Sequence, residues 1–253
     1  MAQSKTALVT GGSRGLGRDM AINLAKKGLN IILTYNSNKS EAEKVVEEIK
    51  LLGQKAVAFQ LDTANVKGFD NFIKEVTTHL QEQNGNPNFD YLINNAGIGI
   101  NVPFAETTEE QFDTLMNIHF KGVYFLTQKV LPFLNNGGGI VNVSTGLARF
   151  SLSGYSAYAS MKGGIEVLTR YLAKELGSRN INVNAVAPGA IATDFNGGAV
   201  RDNKDVNDHI ASVIALGRAG LAEDIGSVVA FLCTDEAHWI NAQRIEVSGG
   251  MLI

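Results

Sequence analysis

Short apolar runs alternate with amphipathic stretches along nearly the whole chain, and no other feature restricts the fold as much. The runs at residues 6–10, 30–34, 56–61, 91–94, 139–144, 181–186 and 244–247 are rich in Val and Ile and read as strands. The stretches at 16–27, 40–52, 66–83, 108–134, 158–176 and 222–232 repeat their apolar residues at helical spacing. Strands that are apolar on both faces belong in a parallel sheet covered on both sides. Alternation with helices implies right-handed crossovers and one doubly wound α/β sheet of about seven strands. The 253 residues carry no linker, repeat or charge run that divides them, so one domain is expected over 1–253. Residues 189–215 read as a long, flexible loop, because Gly197, Gly198, Asn196, Asn203 and Asn207 fall there and long loops in compact domains tend to be functional.

Composition excludes several classes of function. Hydrophobic residues make up 45% and charged residues 19%, with a net charge of −3. No broad basic field is available for nucleic acid or an anionic membrane. No stretch reaches the roughly 20 apolar residues of a membrane span. The first six residues have no apolar signal core, so a cytoplasmic location is expected. Cys233 is the only cysteine and sits beside Phe231 and Leu232, as a buried spectator thiol would. His79, His119, His209 and His238 show no metal-ligand spacing, so all four are read as structural or surface groups and no metal is expected.

Two local patterns carry chemistry. The first is Thr10-Gly11-Gly12-Ser13-Arg14-Gly15-Leu16-Gly17, between the first strand and the first helix. Glycines there permit a tight turn, and the helix N-terminus offers free N–H groups to a pyrophosphate. Its position is that of a Rossmann fingerprint, so a dinucleotide is expected there. The alternative is a glycine-rich turn that binds nothing. An acidic residue about 20 positions on would select NAD. The chain instead reads Leu33-Thr34-Tyr35-Asn36-Ser37-Asn38-Lys39. Arg14 can pair with a 2′-phosphate and Asn36 and Ser37 can donate to it, which favours NADP(H) over NAD(H).

The second pattern is Tyr158-Ala-Ser-Met-Lys162, with Ser144 fourteen residues upstream at the end of an apolar run. Residues at i and i+4 share a helix face. A fixed ammonium beside a phenol favours the phenolate and lowers its pKa, so that it trades protons with an alcohol near neutral pH. Ser144 is placed to hold the same oxygen from the other side. Taken alone, the pair is also what an ordinary helix face presents.

In combination these motifs resemble the short-chain dehydrogenase/reductase family, near its 3-oxoacyl-[acyl-carrier-protein] and carbonyl reductases. The turn matches that family's Thr-Gly-x-x-x-Gly-x-Gly. Asn94-Asn95-Ala96-Gly97, Asn117, Ser144, Tyr158, Lys162, Pro188-Gly189 and Val247-Ser248-Gly249-Gly250 follow in order across the chain. Asn241-Ala242 stands where many members have Thr-Gly, and residues 134–138 are uncharged where many carry basic groups. The resemblance implies hydride transfer between a nicotinamide and a carbonyl or alcohol carbon. It makes Tyr158 the general acid, Lys162 its pKa partner and ribose contact, Ser144 the residue that orients the substrate oxygen, and Asn117 the holder of a relay water. It places Gly11, Ser13, Arg14, Gly15, Leu16, Gly17, Tyr35, Asn36, Ser37, Asn95, Ala96, Gly97, Pro188 and Gly189 around the dinucleotide, with Asp62 at the adenine and Ile191 and Thr193 at the carboxamide.

Leu147, Phe150, Leu152, Tyr155 and Phe195 are expected to wall an apolar substrate pocket. The leading expectation is an NADPH-dependent reductase of a ketone or 3-oxoacyl carbonyl. A sugar or alcohol dehydrogenase and a non-catalytic cofactor-sensing protein on the same fold are the alternatives. Arg179 resembles an acyl-carrier-protein docking position, although the uncharged 134–138 segment lacks the usual basic partner. A homotetramer is expected, built on the helices at 108–134 and 158–176 through Phe120, Tyr124 and Leu131 and through Leu168, Leu172 and Leu176.

Overall fold

A computed structural model describes residues 4–253. Seven parallel strands form one sheet in the order β3-β2-β1-β4-β5-β6-β7. They are β1 (Thr6–Val9), β2 (Asn30–Tyr35), β3 (Ala56–Gln60), β4 (Phe89–Asn94), β5 (Leu134–Val143), β6 (Asn182–Pro188) and β7 (Arg244–Val247). The helices are α1 (Gly15–Lys26), α2 (Lys39–Leu51), α3 (Phe69–Asn84), α4 (Glu109–Met116), α5 (Gly122–Val130), α6 (Ser156–Leu176), α7 (Ala199–Asp202), α8 (Lys204–Ser212) and α9 (Ala222–Leu232). The strand order runs outward in both directions from β1 and β4, so the sheet reverses direction between them and opens a crevice at their carboxyl ends.

Side-chain alternation splits the core in two. Ala7, Val9, Ile31, Leu33, Tyr91 and Ile93 pack with α1, α2 and α9, and Cys233 is buried among them. Leu8, Ile32, Leu92 and Ile140 face the other way, toward α3, α5 and α6. One polar chain crosses that second face. Asn94 donates to Thr127 Oγ1 (3.0 Å) and to Asn142 Oδ1 (2.9 Å), and Asn142 donates to Thr169 Oγ1 (2.9 Å). Asn94 and Asn142 are register partners on β4 and β5. A buried side-chain network satisfied in this way fixes one register and one docking of α5 and α6, because any slip leaves an amide unpaired.

Four expectations need correction. The helix over 108–134 is broken. The N–H of Gly122 reaches back five residues to the Asn117 carbonyl, making a π-turn at Asn117–Lys121 between α4 and α5. Gly122 has no room for a side chain, since a Cβ would lie 2.1 Å from the Thr63 carbonyl oxygen. The strand expected at 139–144 begins earlier, at Leu134, which pairs with Phe89 across a bulge. The long loop after β6 is largely helical, holding a 3-10 turn at Phe195–Gly198 and then α7 and α8. The stripes expected to pair subunits mostly face inward: Leu176 is buried, and Leu131 and Leu172 pack on the core. Phe112, Tyr124, Val167 and Tyr171 are the large apolar side chains that α4–α6 leave exposed.

Ala242 stands at φ +61°, in the left-handed region where a Cβ is strained. The substitution Ala242→Gly is therefore expected to raise stability by about 0.5–1 kcal/mol, read as a higher urea midpoint at unchanged slope. A lower midpoint would show that the local packing of Ala242 outweighs its backbone strain.

Candidate active site

The crevice is built first by glycine. Gly11 (φ +65°) and Gly15 (φ +52°) take left-handed conformations, and a Cβ on Gly17 would sit 2.1 Å from the Gly11 carbonyl oxygen. Helix α1 therefore starts almost in contact with the end of β1. The neighbouring strand locks this arrangement. The backbone N–H groups of Asn95 and Ala96 donate to Thr10 Oγ1 (2.9 and 3.0 Å), and Asn95 Nδ2 donates to the carbonyls of Thr10 and Gly11 (2.9 and 3.2 Å). No side chain caps the N-terminus of α1, and no acidic residue lies in its first turn. Its free N–H groups and positive dipole end suit a phosphate.

Arg14, the residue before α1, is exposed and makes no ion pair among the described residues. Tyr35 is buried at the end of β2, with Asn36 and Ser37 exposed beyond it. Asp62 follows β3, where one carboxylate oxygen accepts from the Ala64 N–H (2.9 Å). Thr193 lies against Gly15, and Ile191 pairs with Gly220. Gly97 leads away from β4, and Pro188 and Gly189 end β6, where a Cβ on Gly189 would lie 2.9 Å from Ser248. The expected dinucleotide residues thus share the carboxyl edge of the sheet.

Tyr158 and Lys162 are buried one turn apart on α6. The Lys162 ammonium donates to the Val143 carbonyl at the end of β5 (2.6 Å) and lies 5.8 Å from the centre of the Tyr158 ring. Burial lowers Lys162 to about 8. Burial also pushes Tyr158 above the ordinary phenol range, against a hydrogen bond with Thr145 that acts the other way. The expected net lowering of the Tyr158 pKa is therefore not seen. Near neutral pH Tyr158 keeps its proton, the state from which an acid donates.

The hydroxyl that meets Tyr158 is that of Thr145, not Ser144. Ser144 keeps the strand parity of Ile140 and Asn142, so its side chain turns to the far part of α6 and donates to Glu166 Oε1 (2.6 Å). Thr145 has the opposite parity. The alternation that identified the strand also distinguishes the two hydroxyls.

Asn117 starts the π-turn half-buried, and its side chain makes no hydrogen bond among the described residues. His119 takes the inner position instead. Its ring stands edge-on to Tyr158 with centroids 5.1 Å apart, and Nε2 lies 2.8 Å from the Ile98 carbonyl oxygen. Gly97 makes room, since a Cβ there would meet the imidazole at 2.6 Å. Of the four histidines expected to be structural or surface groups, His119 is the buried one. The signal was in the sequence: Leu115, His119, Gly122, Leu126 and Val130 are spaced as one helical stripe, and all are buried.

Of the expected pocket wall, Leu147 packs with the Tyr158 cluster, and Tyr155 and Phe195 lie with ring centres 6.4 and 6.1 Å from that of Tyr158. Phe150 instead packs against Gly146 and Arg149, and Leu152 is exposed. Arg179 is fully engaged: it donates to the carbonyls of Leu131 and Leu134 and to Asn136 Oδ1.

Residues 11–252 match the family model for enoyl-(acyl carrier protein) reductase. The 3-oxoacyl-[acyl-carrier-protein] reductase FabG of Staphylococcus epidermidis is 39% identical over 250 residues, covering 98% of this chain and 99% of the relative. The hydroxynaphthalene reductase-like protein Arp2 of Metarhizium majus is 35% identical over 257 residues, covering 97% of this chain and 94% of the relative. Among solved structures, the promiscuous reductase LugOII, which catalyses keto-reduction at C1 in lugdunomycin biosynthesis, has a TM-score of 0.93 at 35% identity, covering 98% of each chain. The angucycline C-6 ketoreductase LanV with bound NADP has a TM-score of 0.93 at 34% identity, covering 98% of this chain and 95% of the other.

Thr145→Val, which keeps the branched shape and removes the hydroxyl, is expected to lower kcat by about 10²-fold, the lower end for a positioned proton-transfer group. Ser144→Ala is expected to leave kcat within a few-fold. Steady-state kinetics on both variants decide, and the reverse ranking would return the role to Ser144.

Proposed function

We propose that this chain, an oxidoreductase belonging to the short-chain dehydrogenase/reductase family, reduces the carbonyl of a small-molecule ketone with NADPH. The observation that carries this reading is the buried Tyr158, one helical turn from the buried Lys162 whose ammonium lies 5.8 Å from the phenol ring centre, at the end of β5 on the sheet edge that holds the glycine turn. The turn fits a dinucleotide, because the bare Gly11 and Gly17 let α1 start against the end of β1 and no side chain caps the N-terminal N–H groups of that helix. When bound, NADPH supplies the hydride.

The chain's own residues do the rest. Thr145 and Tyr158 hold the substrate oxygen. Tyr158 gives its proton to that oxygen as negative charge develops there. Lys162, largely charged below pH 8, favours the phenolate left behind. Leu147, Tyr155 and Phe195 keep the reacting centre apolar. The Arg14 guanidinium makes no ion pair among the described residues and no carboxylate occupies residues 35–39, which supports NADPH over NADH.

The aromatic wall favours an apolar or aromatic ketone. An acyl-carrier-protein thioester is the second reading, motivated by 39% identity to a FabG protein. Arg179 does not support it, since its guanidinium is spent on backbone carbonyls and Asn136. Self-association through Phe112, Tyr124, Val167 and Tyr171 belongs to the same reading.

Tyr158→Phe is expected to cut turnover by 10² or more while NADPH affinity stays nearly intact. Steady-state rates and a cofactor titration on one preparation test this, and activity within about tenfold of the parent would overturn the assignment. Arg14→Ala is expected to raise KM for NADPH and leave that for NADH little changed, since a guanidinium–phosphate contact is lost only with the former. An equal change for both cofactors would mean that Arg14 only covers the turn.

A further inference from the structure

Past α8 the chain pairs with a stretch far along the sequence. Residues 213–216 run antiparallel to residues 249–252. The Leu252 N–H donates to the Val213 carbonyl (2.9 Å), and the N–H groups of Ala215 and Leu216 donate to the carbonyls of Gly250 and Gly249 (3.2 and 3.1 Å). Ile214 and Met251 are opposed in this pairing, and both are buried. The other end of the same helical segment reaches the candidate site. There Asn196 Nδ2 donates to the Tyr155 hydroxyl (3.0 Å), beside the contact of Phe195 with Tyr158.

One side chain ties residues 249–252 to the loop after β5. Arg149 donates from Nη2 to the Met251 carbonyl (2.7 Å) and from Nη1 to the Leu252 carbonyl (3.2 Å). Its Nε and Nη2 donate to the two carboxylate oxygens of Glu246 on β7 (2.7 and 2.6 Å). Arg149 follows the 3-10 turn at Gly146–Ala148, four residues past Thr145, and Leu147 in that turn packs with Tyr158. An ion pair with 38% of the Arg149 side chain exposed adds little stability. Four hydrogen bonds from a planar fork nevertheless fix how its partners lie. The contacts are thus suited to setting a position more than to bracing the fold.

We propose that Arg149 is a positioning residue for the substrate pocket. Acting through residues 249–252, it sets how closely the helical segment after β6 approaches the loop that carries Thr145 and Leu147. The two walls of the pocket are then held to one separation by a single guanidinium, and that separation governs how well a ketone is bound. Thr193, which meets Gly15 of the glycine turn, belongs to the opposite end of the segment from residues 213–216. The effect of Arg149 is therefore directed at the ketone and not at NADPH.

The inference rests on the ketone reductase reading, which the Tyr158→Phe variant tests separately. Its own test begins with hydrogen exchange on the NADPH-loaded protein, which needs no substrate. Arg149→Met keeps the apolar stem and removes every donor. It is expected to speed exchange at residues 213–216 and at 196–212, with the urea midpoint unchanged. Unchanged exchange there overturns the proposal whatever the kinetics show. The second arm is steady-state reduction of 2-tetralone. Arg149→Met is expected to raise KM for the ketone about tenfold, short of the ~10²-fold that a 1 Å misplacement of reacting groups costs. The kcat and the KM for NADPH are expected to stay within a few-fold. Arg149→Lys keeps the charge without the planar fork, and is expected to fall between the parent and Arg149→Met. An unmoved ketone KM, or a parallel rise in both KM values with a lower urea midpoint, would leave Arg149 a surface brace only.

Discussion

A lysine with 4% of its surface exposed is the one Lys, Arg, Asp or Glu that is buried among the described residues, and much of the surrounding structure is arranged about it. Taking an ammonium out of water costs several kcal/mol even after relaxation. Lys162 is compensated by one backbone carbonyl at the end of β5. That carbonyl is available because β5 stops at Val143 and the chain turns away. The docking of α6 against β5 is set in turn by Asn142 and Thr169. Helix α4–α5 breaks so that His119 stands against Tyr158. Strand end, helix docking and π-turn are thus consequences of placing a charge beside a phenol in an apolar core.

A second constraint lies across the crevice, where β1 and β4 part. Thr10 and Asn95 tie the two strand ends together through four hydrogen bonds. They hold the glycine turn open without using the N–H groups of α1. Fixing a turn from behind leaves its front free for a ligand, and it lets the phosphate end and the reacting end of one dinucleotide be positioned by separate parts of the same sheet edge.

The strands, their place in one parallel sheet and the glycine turn were legible because they follow from periodicity and from residues with special backbone freedom. Most strand and helix limits fall within a residue or two of the sequence reading. The failures share a cause: each depends on where a side chain points, or on a contact distant in sequence. Ser144 and Thr145 are both hydroxyls, and only strand parity separates them. The glycine at the break is required by the Thr63 carbonyl, 59 positions earlier in the chain. The helices α7 and α8 were masked by Gly197 and Gly198, whose left-handed conformations end one turn and let the next begin. Asn203, counted as a loop residue, caps α8 by accepting from the Val206 N–H. His119 was set aside because the test applied to it was metal spacing, whereas its helical stripe pointed to burial.

The charges around the site also explain a contact that is not made. Glu166 lies one turn beyond Lys162, the spacing at which Lys and Glu commonly pair on a helix. Here the Glu166 carboxylate accepts from Arg244 Nε and from Ser144, each at 2.6 Å. Arg244 also pairs with Glu246, which Arg149 holds through both ends of its guanidinium. Arg149 reaches on to the carbonyls of Met251 and Leu252. The carboxylate nearest along the helix is thereby committed to a network that runs to the C-terminus, and no carboxylate pairs with Lys162 among the described residues. An anion at that spot would neutralise the ammonium and draw it from the phenol. With Glu166 occupied elsewhere, the positive charge stays directed at Tyr158 and at the crevice beside it, and Ser144, through its hydrogen bond to Glu166, helps to keep it there.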